Sequence, residues 1–183
     1  GAGRHDDRER VELVSVRFRA LGFRGNVDDY YDHKNSLLPD VLERKIGIPI
    51  TLSIVWCAMA RRAGLNARGV AFPGHFLIRV DDMKEAEPAL PPIIVDAFHG
   101  GRIVDDEAAT ALLRRALGEG AALHPTLFAA ASARAVLVRL LSNLESIWAK
   151  RGDHARAFVA VDRIVTLVPD SARMLRERAA LAQ

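Results

Sequence analysis

Cysteine is all but missing from this chain. Cys57 is the only one in 183 residues. A lone cysteine excludes an internal disulfide and fits a reducing compartment, so a cytoplasmic location is expected. Long hydrophobic runs are missing too. No apolar stretch approaches the roughly 20 residues that span a bilayer, and no secretory leader is visible, so no membrane partner is expected. Long runs of one charge are also absent. Net charge is only +3, and the arginines recur on helix faces, as at Arg114–Arg115 or Arg173, Arg176 and Arg178. That pattern reads as solvated surface and gives no nucleic-acid tail, although a weak basic patch for an acidic partner stays open. The chain opens Gly-Ala-Gly without Met, which reads as an expression remnant or a cut from a longer protein.

What is present is ordinary globular material: half the residues are apolar and 27% are charged, enough for one core and a small appendage. Val11, Val14, Phe18 and Leu21 recur at helical steps, which predicts a helix over residues 7–21, stopped by Gly22 with a turn through Gly25-Asn26. Asn35 or Ser36 is the expected N-cap of a second helix, with Leu38, Val41 and Leu42 facing inward and Gly47 ending it. Pro49 then suits the first position of a third helix reaching Ala63. No charge occurs from Ile46 to Ala60, and apolar residues cover every side, so this helix is buried. Gly64 is its natural stop.

The rhythm then changes to short β-type runs. Ala67–Phe72 and His75–Val80 read as short strands joined by Pro73-Gly74, and residues 81–92 as an acidic, proline-bearing loop. Ile93–Phe98 reads as a third strand. His99-Gly100-Gly101 turns into Arg102–Val104, giving a hairpin. Asp105 or Asp106 caps a helix ending near Leu117, and a loop follows to Pro125. From about Ser132 the chain is helical to its end. Leu144, Trp148, Gly152, Ala157, Val161, Ile164 and Pro169 fall at the spacing of one tetratricopeptide-like unit, with Glu145 where a small residue is usual. Residues 171–183 look like the first helix of a further unit cut short. One such unit cannot bury its own apolar face. The expected organisation is therefore α+β, a buried helix on a small antiparallel sheet over residues 1–125, followed by an all-α segment over 126–183 packed on it.

A buried helix, then a His at a strand, then an Asp closing the next strand is the chain order of the cysteine-nucleophile triads of transglutaminases and papain. In such a triad a thiolate at a helix N-terminus attacks, the His takes its proton and the acid orients the His. His75 and Asp96 stand in the second and third places. Pro49 stands where the thiol belongs. Six segments carry a wider likeness: Gly22-Phe23-Arg24-Gly25-Asn26, Tyr30-Tyr31-Asp32, Asn35-Ser36, Gly47 to Ser53, Phe72 to Leu77, and Asp96 to Gly101. In these the chain resembles the bacterial transglutaminase-like proteins with C-terminal tetratricopeptide repeats, the Sir-type family, whose block also occurs in a eukaryotic F-box protein. The resemblance runs from about Leu21 to Asp170 and implies a transglutaminase/papain-like core. Active members of the wider group open the third helix Gly-x-Cys. This chain has Gly47-Ile48-Pro49, and the Sir-type motif has proline there too.

His75 has two readings. It is either a proton acceptor or ligand whose tautomer Asp96 fixes, or half of an inherited hydrogen bond tying two strands together. Cys57 lies about 12 Å along the helix from Pro49, among apolar neighbours that keep a thiol protonated, and reads as core. Ser53, one turn below Pro49 on the same face, is the alternative nucleophile, although such hydroxyls more often bond back to a helix carbonyl. A metal site would need His33, His75, Asp96 and His99 to converge. No tight ligand spacing such as His-x-x-x-His supports one, so neither a metal nor a cofactor is expected. Gly100-Gly101 lacks the strand and helix context of a nucleotide loop.

The expected function is a catalytically silent transglutaminase-like domain that binds a protein or peptide, with Pro49, Asn35, Tyr31 and His99 as candidate binding residues around His75 and Asp96. The alternative is a hydrolase or transferase acting on amide bonds through His75, Asp96 and a non-cysteine nucleophile such as Ser53 or a bound water.

Overall fold

The structure, a computed structural model, describes residues 2–82 and 91–182. Seven α-helices and six short strands appear among them. The first helix, α1 (Ala2–Ala20), starts earlier than the periodicity predicts. Strand β1 (Arg24–Gly25) follows, then a 3-10 turn at His33–Ser36, α2 (Leu38–Arg44) and β2 (Ile46–Gly47). The buried helix α3 spans Pro49–Arg62. Strands β3 (Asn66–Val70), β4 (Leu77–Asp81), β5 (Ile93–Asp96) and β6 (Arg102–Ile103) form one antiparallel sheet in sequence order. Helix α4 is Asp106–Leu117, and α5 (Ala133–Lys150), α6 (His154–Leu167) and α7 (Ala172–Leu181) complete the chain. The loop expected at 81–92 lies largely outside the described residues.

The sheet is covered on both sides because its strands alternate apolar residues between two cores. Ile78, Val80, Ile93 and Val95 face α3 and α1, where Leu52, Val55, Trp56, Val11, Val14 and Phe18 complete the packing. Leu77, Ile94 and Val70 face the other way, onto Ala109 and Leu113 of α4. Helix α5 then closes over the start of α3: Val136 and Leu140 pack on Ile48, Ile50 and Phe76. The junction is also hydrogen-bonded, Ala131 N–H donating to the Gly69 carbonyl at 2.8 Å. A separate cluster of Val161, Ile164, Val165 and Met174 holds α6 and α7 together with Leu141.

Four local expectations are corrected. Asn35 and Ser36 do not cap α2. The N-cap is Leu37, with no side-chain cap bond, because Asn35 spends its amide elsewhere. Gly47 does not end α2. Lys45 does so in the left-handed region at φ 61°, which frees Gly47 to pair in β2. Leu42 is 48% exposed rather than inward. The strands are shorter than expected, so His75 lies in the bend before β4 and Phe98 in the turn after β5. The parallel β1–β2 pair, Arg24 with Ile46 and Gly25 with Gly47, was not anticipated.

Candidate functional site

Asp96 is the anchor. It ends β5 with its side chain fully buried. Its Oδ1 accepts from the backbone N–H groups of Phe98, at 3.0 Å, and His99, at 3.3 Å. The carboxylate thus caps the turn Ala97–Gly100 and draws the next residues back over itself. One consequence is that His99 Nδ1 comes within 2.7 Å of Asp96 Oδ2. From the neighbouring strand, His75 Nε2 comes within 3.1 Å of Oδ1. This second contact is at ion-pair distance but is not aligned as a hydrogen bond, and Nε2 is buried without such a partner. Burial pushes the Asp96 carboxyl up. The two imidazoles, His75 first and then His99, outweigh that and hold it down at about 2.

The turn is fixed from below. Trp56 Nε1–H donates to Ser15 Oγ at 3.2 Å, and Ser15 Oγ–H donates to the Gly101 carbonyl at 2.7 Å. Gly101 has φ 78°, and a Cβ there would lie 2.9 Å from Trp56 Nε1. Only glycine suits this position. Gly25 serves the other wall: a Cβ there would lie 2.6 Å from the Phe98 ring. Phe98 in turn stands edge-on to His75 with ring centroids 6.2 Å apart, and 6.1 Å from Tyr30.

Pro49 completes the site. It is the first residue of α3, where its missing N–H costs no helix bond. Thr51 Oγ1 accepts from the Ile48 N–H at 3.1 Å and donates to the Asn35 carbonyl at 2.8 Å, steadying the helix start. A cleft of about 590 Å³ opens above, lined by Tyr30, Tyr31, Pro49, His75, Phe98 and His99, with Arg115 of α4 at its border. Burial pushes the Tyr30 phenol up, against the pull of Arg139 on α5.

The structure therefore brings together Tyr31, Pro49, His75, Asp96 and His99. It separates three others. Asn35 is fully buried and does not line the cleft. Its Nδ2 donates to the Asp29 carbonyl at 2.7 Å and its Oδ1 accepts from Asn26 Nδ2 at 3.1 Å, bracing the loop that carries Tyr30 and Tyr31. Ser53 is buried with its hydroxyl unpartnered and is absent from the cleft wall. His33 lies against Trp148, with centroids 4.5 Å apart, away from the other histidines. Cys57 sits in the core, its thiol pushed up to about 12 by burial. The donor atoms of His75, Asp96 and His99 all lie within 4.8 Å of one another. Sequence reasoning missed Phe98 and Arg115 as cleft residues. Phe98 was assigned to a strand and Arg115 to a solvated face, and no pattern in either marks the cleft.

The sequence pattern of the transglutaminase-like superfamily matches residues 2–142. The chain belongs to the transglutaminase-like superfamily. The match extends into α5, past residue 125. Among curated relatives of this superfamily member, a UPF0162 protein of Xylella fastidiosa is 41% identical over 88% of this chain and 56% of its own length. A UPF0162 protein of Pseudomonas aeruginosa is 32% identical over 96% of this chain and 63% of its own length. F-box only protein 21 of Mus musculus is 29% identical over 91% of this chain and 26% of its own length. The chain thus spans about half the length of the Xylella fastidiosa relatives it matches. No solved structure matches it. No helix among the described residues is long and apolar enough to cross a membrane.

Proposed function

We propose that this is a transglutaminase-like domain without the covalent chemistry, a cytoplasmic module that binds a peptide segment of a partner protein in the cleft beside His75. One observation carries the reading. Pro49 lines the cleft with His75, at the helix N-terminus where a nucleophile would attack. A proline has no group to attack with and no N–H to stabilise an oxyanion. The remaining wall suits binding. Tyr30, Tyr31 and Phe98 offer aromatic faces, and His75, His99 and Arg115 offer polar contacts.

We further infer membership of the Sir-type branch, with α5 and α6 as one tetratricopeptide-like unit. Its supports are the helical hairpin closed by Gly152 at φ 71° and the core of Val161 and Ile164. Such hairpins extend a binding surface.

The test combines two assays. A displayed library of random peptides should yield binders that compete with one another and are lost on Tyr31→Ala. Glutamine-donor and peptide substrates should show no turnover. Turnover dependent on His75 would replace this reading with amide-bond hydrolysis or transfer through a bound water. Turnover abolished by Ser53→Ala would assign the nucleophile to that serine.

A further inference from the structure

We propose that His75, Asp96 and His99 form a binding site for a divalent first-row transition ion, with zinc as the representative, whose open coordination position faces the cleft. This goes beyond the peptide-binding reading and stands without it.

The donor set is two imidazole nitrogens and one carboxylate, a combination that suits zinc and its neighbours. The atoms are already gathered. One ring nitrogen each of His75 and His99 and a carboxylate oxygen of Asp96 lie mutually within 4.8 Å. Tetrahedral bonds of about 2.1 Å put ligand atoms about 3.4 Å apart. The present contacts of 3.1 Å from His75 and 2.7 Å from His99 to Asp96 are both shorter than that value, so the imidazoles need only small outward rotations to admit an ion.

Three features separate this cluster from an ordinary surface group. First, His75 Nε2 has no aligned hydrogen-bond partner although its side chain is only 10% exposed. Its contact with Asp96 Oδ1 at 3.1 Å is off the hydrogen-bonding line, so this buried nitrogen is under-satisfied, and a metal would satisfy it. Second, the carboxylate has an outer shell. The N–H groups of Phe98 and His99 bond Oδ1, which fixes the group's orientation and leaves Oδ2, now against His99 Nδ1 at 2.7 Å, as the oxygen that would ligate once an ion replaces that contact. Third, the ligands come from different places. Asp96 is fully buried, while His99 is 47% exposed on the turn and already lies against it. Ion binding replaces two imidazole–carboxylate contacts by three metal bonds. A fourth ligand is then water or a donor atom of whatever occupies the cleft.

The test uses the untagged full chain, stripped with a chelator and titrated with zinc by calorimetry, and then with cobalt by visible absorption. The expected result is one ion per chain and cobalt bands of tetrahedral intensity. His99→Ala, on the exposed turn and checked for unchanged melting, should weaken zinc binding by about 100-fold or more. His33→Ala, outside the cluster, should leave it unchanged. Equal binding by wild type and His99→Ala, or loss of binding with His33→Ala, would overturn the site. The three residues would then be a hydrogen-bonded cluster only.

Discussion

Pro49 and His75 line one cleft, the proline at the first position of a buried helix and the imidazole in the bend that enters β4. Two walls of a triad geometry are therefore in place around a residue that cannot react.

The thiol can be restored. Pro49→Cys places a cysteine at a helix N-terminus, where the dipole and free N–H groups stabilise a thiolate. It should be alkylated by iodoacetamide well below the usual thiol range near pH ~8.5, and His75→Ala should slow that reaction near neutrality. Cys57, with its thiol pushed up to about 12, is the unreactive internal control. Site-resolved mass spectrometry reads both. A thiol no faster than an ordinary exposed one, and indifferent to His75, would sink the triad assignment. Loss of the proline constraint should cost about 1 kcal/mol of stability.

Asp96 predicts an acid-labile fold. Its folded value of about 2 lies below the ordinary 3.8. A depressed carboxyl contributes stability that is complete above about pH 4 and lost as pH falls through about 2. The difference corresponds to roughly 2 kcal/mol. Urea unfolding in the presence of a chelator should show wild type losing this amount relative to Asp96→Asn across that window. Parallel pH profiles for the two proteins would refute it.

Gly101→Ala should be far worse than Gly64→Ala. Both glycines have positive φ, but a Cβ at 64 meets open space, whereas one at 101 runs into Ser15 and Trp56. The expected costs are about 1 kcal/mol at 64 and about 3 kcal/mol or more at 101. Chemical denaturation of the two variants decides it.

Ser53→Ala should leave the protein equally stable or stabilise it by about 1 kcal/mol, because it removes a buried hydroxyl with no partner. A large destabilisation would reveal a bond for that hydroxyl.

A fragment of residues 138–183 should not melt cooperatively by circular dichroism. It keeps the cluster of Val161, Ile164 and Met174. It loses the start of α5, and Leu140 loses Ile48, Ile50 and Phe76. Cooperative melting as a monomer would show that these helices form an independent unit.

The elements with a strong physical signature were legible in the sequence. Helix α3 begins at Pro49 as expected, because proline at the first position and a charge-free run admit one solution. The short strands around Pro73-Gly74 and the hairpin at Gly100-Gly101 were legible from their turn residues, whereas the full strand order comes from the structure. The β1–β2 pair was not legible, since two-residue strands have no period. Asn35 misled for a chemical reason: its side chain caps helices and braces loops equally well, and only the positions of Asn26 and Asp29 decide between them. The bond from His99 to Asp96 is likewise invisible in the sequence, because it exists only once Asp96 has folded its own turn.

Both flanks of the cleft are held by residues far away in the chain. Ser15 reaches Gly101 across 86 positions, and Arg151 reaches the Tyr31 carbonyl across 120. Contacts so distant in sequence carry a larger chain-closure cost than local ones. The cleft is thus assembled from segments that meet only in the folded chain. The loop bearing Tyr31 is tied down by the end of α5, so a change at Arg151 reaches the pocket wall without lining it.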